Sequence, residues 1–202
     1  SQTAISHTQG QAYALRALAH FDLLRMYGQH FITGQGGGGS LGVPYVKTYK
    51  NPDNLTPARD TVGSNVGDIT ADITTAISMM SASLDSSAAY MTVAGAYAIG
   101  ARALLYAGSV NSSLYATAGT MAKWVIDNSG KTPVSAAGFN ASYSTDYASN
   151  AIFELSFTGT DSIPAILFLE EYYGADIDNE IVGGSISATE HSIMCAGGES
   201  DE

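Results

Sequence analysis

The chain has 202 residues and a single cysteine, Cys195. One thiol cannot form an internal disulfide or supply a multi-cysteine zinc site, so both architectures are excluded. The missing disulfide does not indicate a compartment, because many exported proteins have none. Cations are also scarce: 8 Lys+Arg stand against 19 Asp+Glu, a net charge of −11. Phosphate contacts need clustered cations, so a nucleic-acid partner is not expected. No apolar run reaches the length of a transmembrane helix. Ser1-Gln2-Thr3-Ala4 shows neither a basic n-region nor an apolar h-region, so no signal peptide is expected there.

Several catalytic and metal signatures are missing. There is no His-x3-His or His-Glu-x2-His spacing for a zinc hydrolase. No Gly-x-Ser-x-Gly elbow occurs; Gly183-Gly184-Ser185-Ile186-Ser187 comes near but lacks the last glycine. Asp176, Asp178 and Glu180 alternate as in a calcium loop. Counted from Asp176, however, the sixth and twelfth positions hold Ile181 and Ser187 instead of Gly and Glu. Cys195 lies in a Gly-rich acidic stretch, where negative neighbours would raise a thiol's pKa, which argues against a reactive nucleophile. Glu170 and Glu171 are consecutive and diverge on a helix, so they cannot flank one glycosidic bond. No metal, no cofactor and no enzymatic activity are expected.

Hydrophobic residues make up 45% of the chain, enough to build a core at this length. Charge is unevenly placed. All eight basic residues lie at or before Lys131; residues 1–157 hold 9 acidic residues, and residues 158–202 hold 10 acidic and no basic ones. The first glutamate is Glu154. This break divides the chain into a helical domain at 1–157 and an acidic segment at 158–202, whose two readings are a solvated tail and a foreign piece.

Residues 4–28 have a helical stripe of Ala14, Ala17, Leu18, Phe21 and Leu24, with Gly28 as its stop. Residues 31–60 form a long loop. Its Gly36-Gly37-Gly38-Gly39-Ser40 run has the composition either of an engineered linker or of a natural glycine-rich loop. Residues 61–80 place Val62, Val66, Ile69, Ile73, Ile77 and Met80 on one face, behind an N-cap at Asp60 or Thr61. Asp68 and Asp72, one turn apart, read as a solvated face. A small-residue helix at 89–107 and a helix at 114–127 (Leu114, Ala118, Met121, Val125) are joined by a short connection, so they should pack antiparallel. Alternation at 151–157 predicts a short strand, and 164–173 reads as a helix. The fold class is mainly α: tetratricopeptide-like helix hairpins with minor β. His20 reads as packed and hydrogen-bonded, His7 and His30 as surface residues. Tyr45, Tyr49, Tyr143 and Tyr147 fall in expected loops. There a flat ring with a hydroxyl would suit sugar stacking, the alternative being an ordinary half-buried tyrosine.

The order of these pieces is familiar. Gln11 to Gly28 (QAYALRALAHFDLLRMYG), Gly42-Val-Pro-Tyr45, Pro57-Ala-Arg-Asp-Thr-Val62, Asp68-Ile-Thr-Ala-Asp-Ile73, the Ala-rich Val93 to Gly108 and Asn150-Ala-Ile-Phe-Glu-Leu155 follow one another. In this order residues 1–157 resemble an internal stretch of the SusD/RagB family, the glycan-binding lipoproteins of Bacteroidota outer membranes. The resemblance implies non-enzymatic binding of oligosaccharide at the cell surface and its delivery to a TonB-dependent outer-membrane transporter. It also implies membrane attachment only through a lipid anchor outside this stretch.

Residues 159–202 resemble something else. Gly159-Thr-Asp-Ser-Ile-Pro-Ala-Ile166, Glu170-Glu-Tyr-Tyr-Gly174 and Gly183-Gly-Ser-Ile-Ser-Ala-Thr-Glu-His-Ser192 are similar to nicotinamide phosphoribosyltransferase. That resemblance implies that Asp161 contacts the nicotinamide amide, that Ser185 lies near the nucleotide and that His191 is phosphorylated by ATP. The rest of such an enzyme is absent, so this segment alone would not catalyse. The expectation is a composite: a glycan-binding piece joined to a transferase fragment. A helical scaffold that docks a protein partner is the third reading.

Overall fold

The computed structural model describes residues 1–29, 36–48, 56–143 and 145–155. The chain divides between Leu155 and Ser156 into two units, and only the first is described below. Among the described residues it holds five α-helices: α1 (Gln2–Tyr27), α2 (Val62–Met79), α3 (Val93–Ala107), α4 (Leu114–Asn128) and the short α5 (Phe139–Tyr143). Hydroxyl caps start three of them, α1 through Ser1 Oγ, which accepts from the Ala4 N–H at 3.4 Å. Thr61 Oγ1 accepts from the Ser64 N–H at 3.1 Å, and Thr92 Oγ1 from the Gly95 N–H at 3.0 Å. α1 ends where expected. The Gly28 N–H closes on the Leu24 carbonyl at 2.9 Å, and a Cβ there would lie 2.6 Å from that oxygen.

The helices form two antiparallel hairpins. Along α1 and α2, His7 meets Ser81, Gly10 meets Met79, and Arg16 meets Asp72, so rising positions on one helix face falling positions on the other. Along α3 and α4, Tyr97 stacks on Trp124, Gly100 faces Met121, and Gly108 faces Tyr115. Small residues permit the close approach expected of α3. A Cβ on Gly100 would fall 2.7 Å from Met121 Sδ and 2.8 Å from Ile73 Cγ2, so this glycine also seats α3 against α2. Phe21, Leu24, Val62, Ile73 and Leu104 fill the core between the hairpins.

The glycine run is packed, not free. The Gly38 carbonyl accepts from the Gly63 N–H and the Ser40 carbonyl from the Val62 N–H, both at 2.8 Å, so the run satisfies orphan donors of the first turn of α2. Leu41 then bridges to Thr61. Asn65, fully buried on α2, accepts from the Val43 N–H at 2.8 Å and donates to the Val43 carbonyl at 2.9 Å. Its amide thus serves as a surrogate strand for residue 43.

Asp72 is not on a solvated face. It is 6% exposed. Arg16 Nε and Nη2 donate to its two oxygens, both at 2.7 Å, and the Tyr45 hydroxyl donates to Oδ2 at 2.7 Å. Sequence periodicity shows only that Asp72 lies off the apolar stripe; the loop that covers it comes from a distant segment. Asp68 pairs with Lys47 at 2.7 Å near the surface. Tyr45, 9% exposed, stacks on His20 with ring centroids 4.1 Å apart. It is a core residue, and its expected role as an open sugar platform is corrected accordingly. His20 Nε2 accepts from the Val46 N–H at 3.0 Å, which leaves Nδ1 to donate to the Arg16 carbonyl at 2.9 Å. His20 is therefore packed and bonded as expected.

Two further expectations change. Residues 151–155 form no strand; Glu154 only donates its N–H to the Ala88 carbonyl at 2.8 Å. An alternating pattern makes a strand only where a second strand lies alongside. Among the described residues the minor β reduces to the single Leu41–Thr61 bridge. His7 is buried at 5% exposure, with Nδ1 accepting from the Ser81 N–H at 3.1 Å. The expected helix at 164–173 and His30 lie outside the described residues.

Replacing Asn65 with Ala strips both partners from a buried peptide group. We expect about 2–3 kcal/mol of destabilisation, read as a lower urea midpoint at unchanged slope. Burial, then the hydrogen bond and charge of Asp72, push the Tyr45 phenol well above the ordinary tyrosine range, with Arg16 opposing. Above about pH 10 the unfolded chain would lose this proton while the folded chain keeps it. Stability should therefore fall as pH rises past that value. Tyr45→Phe should cost about 1–2 kcal/mol at neutral pH and flatten the alkaline fall, as measured by urea unfolding at pH 7 and pH 11.

Candidate functional site

A cleft of about 310 Å³ opens where the α2–α3 connection, the start of α3 and the end of α4 converge. Asp85, Ser86 and Ser87 come from the connection, Thr92 from the cap of α3, and Trp124 and Asn128 from α4; Lys131 follows α4. Ile152 closes one side.

Each side chain has a local reason to be there. Trp124 is half-buried and stacked on Tyr97 at 4.0 Å and 10°, which holds the indole in one orientation. Asn128 Nδ2 donates to the Trp124 carbonyl at 2.8 Å. Gly130 has φ +66°, a left-handed turn that suits glycine, and Lys131 follows it with its N–H on Ser129 Oγ at 3.1 Å. Asp85 accepts from the Val93 N–H through both oxygens, at 3.2 and 3.1 Å.

Partial burial raises the Asp85 carboxyl above the usual carboxylate range, while the Val93 N–H and the facing His7 pull it back. His7 Nε2 stands 3.9 Å from Asp85 Oδ1, too far for a direct hydrogen bond, and has no hydrogen-bond partner among the described residues. Lys131 makes no ion pair among the described residues. No cluster of three His, Cys, Asp or Glu able to hold a metal occurs among them either. The cleft combines a flat aromatic, hydroxyls, an amide, a carboxylate and an ammonium. That set recognises a polar, ring-shaped ligand through stacking and hydrogen bonds.

A second cleft of about 520 Å³ lies between α1 and α3. Its floor of Leu18, Ile99 and Phe153 is apolar, and Asp22 and Arg102 pair with each other at 3.4 Å. It offers fewer free polar groups.

Of the four expected tyrosines, Tyr45 and Tyr147 have described side chains. Tyr45 is buried under the loop. Tyr147 is 38% exposed at φ +54°, and its N–H donates to Glu154 Oε2 at 3.0 Å. Tyr143 ends α5, where its backbone alone is described. Tyr49, Asp161, Ser185, His191 and Cys195 lie outside the described residues. Trp124, Lys131 and Asp85 were not singled out from sequence. A usable signal existed for the first: it is the only tryptophan, three residues from Met121 on the flank of the α4 stripe.

Residues 1–105 match the SusD-like family model, described as starch-binding associating with outer membrane. Among solved structures, one described as a sugar binding protein, from Bacteroides vulgatus, is 28% identical with a TM-score of 0.66; the match covers 80% of this chain and 35% of that one. A SusD superfamily protein from the same organism is 24% identical (TM-score 0.64, 80% and 35% covered). A SusD-like protein from Bacteroides fragilis is 21% identical (TM-score 0.57, 80% and 29% covered). The chain spans about a third of the length of these structures. The second resemblance is also found. Nicotinamide phosphoribosyltransferase of Acinetobacter baylyi is 51% identical over 47 residues, which are 23% of this chain and 9% of that protein. The family model covers just over half of the chain, and solved SusD-like structures share its helical fold: the chain belongs to the SusD-like family.

Proposed function

We propose that this protein binds oligosaccharide at the surface of a bacterial outer membrane, without catalysis, and passes it to a TonB-dependent transporter. One observation carries the reading: the match of residues 1–105 to a starch-binding, outer-membrane-associated family. The sugar-binding description of the 28%-identical structure supports it. The cleft around Trp124 is where we place a sugar ring, stacked on the indole and bonded by Ser86, Ser87 and Asn128. Tyr147, with Tyr49 and Tyr143, is proposed as an outlying contact. Attachment to the membrane would be through a lipid anchor outside this stretch.

The 51% match over 47 residues favours a second reading for residues 158–202 alone, as a piece of a nicotinamide phosphoribosyltransferase carrying Asp161, Ser185 and His191. Labelling of His191 by ATP would support it, and failure to label would count against it.

Because Trp124 is the only tryptophan, its fluorescence reports directly on the cleft. Titration with a panel of linear oligosaccharides should give a saturable change in emission. Trp124→Ala should weaken binding about tenfold by calorimetry. A folded protein that binds no member of the panel would overturn the reading.

A further inference from the structure

We infer that the sugar unit held in the Trp124 cleft is acidic, carrying a carboxylate that pairs with Lys131. The inference rests on the oligosaccharide-binding reading and narrows its ligand class. The two charged groups of the cleft are not equivalent. Asp85 is already engaged, with both oxygens on the Val93 N–H and His7 facing it at 3.9 Å. Lys131 lines the same cleft half-buried, with no ion pair among the described residues. A cation in a partly dehydrated cleft gains from an incoming anion more than it would in bulk water.

The other lining groups decide what kind of anion. The Trp124 indole offers a face or edge to a ring, and Ser86, Ser87 and Asn128 offer partners to hydroxyls. Asp85 can accept from a sugar hydroxyl, but its charge disfavours a compact multivalent anion such as phosphate. One ammonium, one carboxylate and several neutral hydrogen-bonding groups therefore match a polyhydroxylated monocarboxylate, the chemistry of a uronic acid residue in a chain.

The test uses the 202-residue chain. A tetragalacturonide and its neutral tetragalactoside counterpart are titrated by calorimetry and followed by Trp124 emission. The acidic sugar should bind about tenfold tighter, and the preference should shrink as salt is raised. Lys131→Met, shown by circular dichroism to fold, should bring the affinity ratio close to one, and Lys131→Arg should keep it. Equal binding of both sugars by the original protein would overturn the acidic-ligand inference and leave the oligosaccharide reading standing. A preference that survives Lys131→Met would overturn the role of Lys131. Absence of binding by either sugar would overturn the inference; if the neutral panel also failed, the wider reading would fall with it.

Discussion

The buried carboxylate of Asp72 is the point on which the first hairpin turns. An unpaired charge at that depth would be strongly destabilising, so its partners are obligatory. Arg16 reaches it from α1 in a two-pronged contact, and Tyr45 reaches it from the loop before α2. Three segments distant in sequence are locked by one group. A buried ion pair of this kind is weak evidence for extra stability, but it specifies register well: sliding α1 by one turn along α2 would separate Arg16 from Asp72. Asn65 and His20 extend the same logic, each binding a backbone group of the 43–46 segment. Polar side chains of α1 and α2 thus hold the 43–46 segment, while backbone bonds hold residues 38–43.

The second hairpin is held differently. Gly100 and its small neighbours let α3 approach α4 and α2 closely, and the contact is shape, not charge. Close packing there fixes Tyr97 against Trp124, which in turn gives the cleft a rigid aromatic wall. The mouth of the cleft is shaped by the connection between the two hairpins. His7 and Gln11 on α1 tie down that connection through Ser81 and Met91, so the placement of Asp85, Ser86 and Ser87 depends on α1 as much as on α3. Glycan recognition suits such a surface: a stiff ring platform flanked by short polar side chains loses little entropy on binding.

Both family resemblances read from sequence words are recovered by comparison, and the contrast between them is informative. The SusD-like words spread over 150 residues because they mark helix contacts within a hairpin fold. The transferase match is short and dense: 47 residues at 51% identity, 9% of that protein's length. Composition changes along the chain as well: no basic residue follows Lys131, and every glutamate lies at or after Glu154.

Periodicity alone located four helices to within a few residues at most termini, because apolar stripes and hydroxyl caps are local and each pays for itself within one or two turns. It placed Ala14, Ala17, Phe21, Leu24 and Ile73 correctly in the core for the same reason. It could not tell that Asp72 and His7 are buried, that Tyr45 has no free face, or that the glycine run caps α2. Those outcomes depend on which distant backbone folds over each position, and a polar residue off the apolar stripe looks identical whether water or a loop covers it. The Trp124 cleft belongs to the second kind. Asp85, Trp124 and Lys131 are unremarkable singly, and only the antiparallel packing of α3 on α4, with the glycine-mediated turn at Gly130, brings them to one mouth.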